Sequence, residues 1–202
     1  MIDSAPRKTE ITRADILPMA DYGRERRALR QNIVAAKKPR RVEVGPIATF
    51  YFENYQTMWF QVHEMLFVEK GGEGQIDDEL RAYNPLIPKG KELVATVMLE
   101  IEDPVRRAAT LLKLSGIENH MFMSVGGDMI RGVSETEVER TRESDGKTSS
   151  VHFVHFPFTD DQILRFRTSG VQVVIGFDHP EYAHMAVLPP AARAALSEDF
   201  VL

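Results

Sequence analysis

The period of apolar positions changes often along this chain, and each change marks an element. Thr12-Arg13-Ala14-Asp15 reads as a capping box with Asp in place of Glu, opening a short helical turn that Pro18 stops. A longer helix is predicted over 20–36, ending at Lys37-Lys38-Pro39 because proline cannot continue it. Residues 41–44 and 47–53 read as strands around Gly45-Pro46. From Tyr55 to Lys70 apolar side chains run almost all round a helical wheel, Met58, Trp59, Phe60, Val62 and Leu66 among them, which predicts one buried central helix stopped by Gly71-Gly72.

The second half continues with an amphipathic helix over 76–83, a strand over 93–101, a helix over 104–114 with proline at its start, and a strand over 121–125. A strand over 151–158, a helix over 159–168 capped by Thr159, strands over 171–177 and 184–188, and a helix over 190–199 complete it. Residues 131–147 are highly charged and nearly free of large apolar side chains, so an exposed excursion is expected there. Helices and strands mix without regular alternation and without a glycine-rich phosphate loop. The expected fold is α+β: one globular domain over 12–199, behind a tail of residues 1–11, with packed helices on a mostly antiparallel sheet.

Composition narrows the chemistry. The chain has 202 residues, 43% hydrophobic and 27% charged, enough to bury a sizeable core. Its longest apolar run falls short of the roughly 20 residues that cross a bilayer, and its start lacks an apolar leader, so a cytoplasmic location is expected. With no cysteine, a cysteine-ligated iron–sulfur cluster is excluded, and a metal would need histidine and carboxylate ligands. Charge is bipolar: between Arg24 and Arg41 eight basic residues face one acid, although the whole chain carries -5. No aromatic ladder or nucleic-acid motif accompanies that stripe, so Arg26, Arg27 and Arg30 are expected to dock a protein partner rather than nucleic acid.

Polar residues in apolar blocks are the candidate site. Glu64 sits among Phe60, Phe67 and Val68, His152 within the strand over 151–158, and Asp178-His179 after an apolar strand and before Pro180. A divalent metal held by Glu64, His152, Asp178 and His179, with Gln61 as a hydrogen-bonding partner behind them, would suit iron, manganese or zinc. The plainer reading has Glu64 accept from an arginine and Asp178 bond local amides in a turn. His155 alternates onto the opposite strand face from His152, so the two cannot share a site.

Several blocks in order, Arg40-Arg41, Phe52-Glu53, Gln61 to Met65, Glu79-Leu80, Tyr83 to Pro88, Thr148 to Phe153 and Asp178 to Tyr182, resemble the bacterial family catalogued as domain of unknown function 3501, over nearly the whole chain. The resemblance carries over no activity. It implies a redox or peroxide-stress setting, because genes for rubrerythrin-like proteins and iron–sulfur oxidoreductases accompany that family. Two functions are therefore expected: a non-catalytic accessory or binding protein of a redox module, or a metal-dependent oxidoreductase or hydrolase built on the His/Asp/Glu set.

Overall fold

The computed structural model describes residues 8–135 and 146–201. Its strands are β1 (Arg41–Val44), β2 (Ala48–Phe52), β3 (Glu92–Leu99), β4 (Met121–Val125), β5 (Asp128–Arg131), β6 (Val133–Ser134), β7 (Val151–Pro157), β8 (Val173–His179) and β9 (Tyr182–Val187). The helices are α1 (Met19–Lys37), α2 (Tyr55–Glu69), α3 (Glu73–Tyr83), α4 (Pro104–Lys113), α5 (Asp160–Arg167) and α6 (Pro190–Ser197). A five-stranded sheet runs β1-β2-β3-β7-β6 and a four-stranded sheet β5-β4-β8-β9. Every pairing is antiparallel, as expected of this α+β chain.

Alternation along the strands decides what each face meets. Phe50, Phe52, Val97, Val154 and Phe156 point from the five-stranded sheet into one core with Met121, Met123, Ile175 and Phe177 of the other, and the Phe50 and Phe177 rings lie 5.2 Å apart. Helices α4, α5 and α6 add Leu111, Ile163, Phe166 and Leu196 to that core. The opposite face of the five-stranded sheet is covered in part by α2 and α3, through Met58, Val62, Leu66 and Ile76 in a second cluster that contains Val94 and Leu86. Helix α2 is central, lying between sheet and α1, yet only one stripe of it is buried and Val68 near its end is 62% exposed.

Two small devices join the layers. The Tyr182 hydroxyl on β9 donates to the Val44 carbonyl at 2.7 Å and accepts from the amides of Ile47 and Ala48 at 3.2 Å each, reaching the β1–β2 turn from the other sheet. Gly45 in that turn has φ +66, and a Cβ there would stand 2.6 Å from the Tyr182 oxygen, so only glycine leaves the hydroxyl its place. On the opposite flank, Arg40 is buried and forks onto both carboxylate oxygens of Asp199, while also donating to the carbonyls of Ala195 and Glu53.

Several boundaries differ from the sequence reading. Strand β5 follows β4 through Gly126-Gly127, both at positive φ, a two-residue hairpin in a stretch to which the sequence reading assigns no element. Of the expected excursion over 131–147, Arg131 closes β5 and Val133–Ser134 pair with β7, while 136–145 lie outside the described residues. In the expected tail, residues 1–7 also lie outside the described residues, whereas Ile11 is fully buried and bracketed by the Asn84 amide group through both its backbone N–H and C=O. Strands β8 and β9 are shifted from their expected positions, so that Asp178 and His179 belong to β8 itself and the turn is Pro180-Glu181.

Candidate functional site

The four expected metal ligands go to different places. Glu64, on the α2 face toward α1, accepts from the Tyr22 hydroxyl at 2.6 Å and from the Arg26 guanidinium at 2.7 and 2.8 Å. The Arg26 hydrogen bond holds its carboxyl below the usual carboxylate range against the opposing effect of burial. His152 is fully buried and lies opposite Val97 in the β3–β7 ladder, so it points into the layer between the sheets, away from α2. Its Nε2 lies 2.9 Å from the Ser149 carbonyl oxygen.

Asp178 and His179 alternate onto opposite faces of β8. Asp178 meets His120 at 3.0 Å and Arg131 at 2.5 Å on the outer face; burial raises its pKa, but Arg131 and then His120 leave it lowered. His179 accepts from the Glu181 amide at 3.2 Å through Nδ1 and faces the Ser115 carbonyl through Nε2 at 3.1 Å, which locks the turn. Among the described residues no group of three or more His, Asp or Glu side chains is placed to hold a metal ion. The expected convergence of Glu64, His152, Asp178 and His179 is thus corrected, because strand alternation and the second sheet separate residues that share only an apolar sequence setting.

The basic stripe is also divided. Arg26 folds back onto Glu64 and lies over the Phe67 ring at 5.0 Å, so it belongs to the α1–α2 contact rather than to a docking face. Arg27 and Arg30 are exposed. His63, beside Glu64 in sequence, is fully buried with Nε2 accepting from the Leu17 amide at 3.0 Å and Nδ1 donating to the Trp59 carbonyl at 2.7 Å, and burial depresses its pKa.

Residues the sequence reading passed over meet elsewhere. Helices α2 and α3 leave part of the five-stranded sheet open, and its outer face there carries the cross-strand row Tyr51, Thr96, Phe153 over β2, β3 and β7. A cavity of about 440 Å³ stands on that row, walled by Met58 and Gln61 of α2, Tyr83 at the end of α3, and Lys37 at the end of α1. Glu53, immediately after β2, keeps the same outward parity and lines this cavity while only 5% exposed. Its Oε1 accepts from the Thr96 hydroxyl at 2.7 Å. Gln61, expected behind a metal with Glu64, faces this cavity instead and hydrogen-bonds the Tyr83 hydroxyl, whose pKa burial raises.

A second cavity of about 580 Å³ shares Tyr83, Leu86 and Phe153 with the first and ends at His155 and Glu135. There His155 meets Glu92 at 2.9 Å and Glu135 at 3.6 Å. The Glu92 hydrogen bond, with its charge, raises the His155 pKa in spite of burial. Through the residues they share, the two cavities adjoin as a cleft over the sheet, with the buried Glu53 at one end. Pockets of this size and mixed lining hold small organic molecules.

The comparisons agree with this architecture. A family model described as protein of unknown function (DUF3501) matches residues 10–200. A crystal structure of a novel protein of unknown function from Burkholderia pseudomallei K96243 is 35% identical, covers 95% of this chain and 99% of its own, and superposes with a TM-score of 0.87. Among curated proteins none matches.

Proposed function

We propose, from the premise that the chain belongs to the DUF3501 family of proteins of unknown function, that it is an accessory binding protein which holds a small organic ligand in the cleft over the five-stranded sheet. One observation carries this: Glu53, a residue more than nine-tenths buried, lines a roomy cavity, and among the described residues its carboxylate meets one side-chain donor, the Thr96 hydroxyl. Desolvating a carboxylate costs several kcal/mol unless partners offset it, and a ligand is the partner such a cavity admits. The metal-dependent oxidoreductase or hydrolase reading required four donors at a common point, and their placement does not favour it.

The redox or peroxide-stress setting is proposed on the resemblance alone, with a protein partner meeting the outward arginines Arg27 and Arg30. The binding reading is tested by a fragment screen read by amide chemical shifts. Ligands should move Glu53, Gln61, Tyr83, Thr96 and Phe153 together, and Met98→Trp, which fills the cavity from its β3 floor, should abolish those shifts. Shifts scattered over the surface, or unchanged in the filled variant, defeat the reading.

A further inference from the structure

Resting on that binding role, we infer that the ligand is an organic cation, carrying an ammonium or amidinium group against Glu53 and an apolar body along Phe153 and Met98. Among the described residues no Lys or Arg comes within ion-pair distance of Glu53, and its one side-chain partner, Thr96, brings a neutral hydroxyl. A carboxylate held this far from water recovers its lost hydration best from a cation with N–H donors.

Lys37 lines the same cavity and would by itself invite an anion. Burial decides between the two. Lys37 is half-buried and keeps more contact with water than Glu53, which is only 5% exposed. The group that needs a counter-charge from a ligand is therefore the acid.

The walls fit the same class. Tyr83 and Phe153 bring aromatic rings to the cavity, and the faces of such rings attract cations, as the Tyr51 ring beside them already does with the Arg41 guanidinium 5.6 Å from its centroid. Met58 and Met98 supply adaptable apolar surface for the rest of the molecule. Anionic ligands gain nothing from these faces and are repelled by Glu53.

The test uses three probes that share one ring: benzylamine, benzyl alcohol and benzoate, titrated into the full chain with amide shifts as readout. Benzylamine should shift Glu53, Thr96 and Phe153 with a Kd about ten-fold or more below that of benzyl alcohol, a gap of about 1.4 kcal/mol, and benzoate should bind more weakly still. Glu53→Gln should bring benzylamine to the level of the alcohol. The preference among probes in the unmodified protein decides the question even if Glu53→Gln folds poorly. If the alcohol or benzoate matches the amine at these residues, or Glu53→Gln binds the amine as the unmodified protein does, the cationic class is wrong while binding in the cleft stands. If none of the three moves these residues, both inferences fall.

Discussion

Histidines 63 and 155 carry opposite pH signatures, because one ring is fully buried and bonded to backbone groups while the other is half-buried against two acids. The folded pKa of His155 lies above the ordinary 6.5, so its contribution to stability is complete below that pH and is lost as pH rises through the folded value. Burial raises its partner Glu92, but His155 and Lys89 together leave it lowered, so its contribution is complete above the ordinary carboxylate value of 4.5 and is lost as pH falls through the folded value. His155→Gln should therefore cost most near pH 5 to 6.5 and progressively less in alkali, measured as the difference in unfolding free energy from the unmodified protein. For His63, depressed below 6.5, the sign reverses: its contribution is lost as pH falls below that value. Imidazole NMR should show His155 titrating above 6.5 and His63 below it. Glu64 gives a further check on the site correction. Replacing it by Gln removes the charged partner of Arg26 and should cost about 1.5–3 kcal/mol in denaturant unfolding, with no change in the metal content of protein purified without a metal-binding tag.

At the level of elements, what was legible in the sequence had either length or a cap. Helix α1 announces itself by its run to Pro39, α4 by Asp103-Pro104, and α5 by Thr159, whose side chain accepts from the Gln162 amide as a capping box requires. Strand β6 spans two residues, too few for a period to show, and β5 begins directly after the Gly126-Gly127 turn, in a stretch to which the sequence reading assigns no element. Asp178 and His179 look like loop chemistry and yet continue the β8 ladder, since pairing with β9 outweighs their weak strand preference. Glu64's arginine partner was legible as the plainer reading. The cleft was not: Thr96 and Phe153 become neighbours only through the β3–β7 register, and no local pattern shows which part of a sheet face helices leave open. Arg27→Glu with Arg30→Glu should weaken a co-purifying partner complex in a salt-sensitive way without altering thermal unfolding, whereas Arg26→Glu should lower Tm by itself. Arg193 donates to the carbonyls of Phe166, Val171, Arg165 and Thr168 and so finishes α5 from α6; Arg193→Lys, which keeps charge but not the planar fork, should recover little of the stability lost in Arg193→Ala.

The whole molecule is closed at two flanks. Asp199→Asn leaves the buried Arg40 guanidinium without its counter-charge and should cost about 3–5 kcal/mol by chemical denaturation, and because Arg40 also holds the Glu53 carbonyl, the loss should reach the cleft as weaker probe binding. The other flank is the Tyr182 hydroxyl, whose three backbone bonds cross from one sheet to the turn of the other. Those bonds add a polar tie between two sheets that already share one core. In deuterium exchange the amides of Ile47 and Ala48 should become labelled only as slowly as the innermost β8 amides, since releasing them means detaching β9. Tyr182→Phe should convert their exchange to a fast local opening of the turn while β8 remains protected.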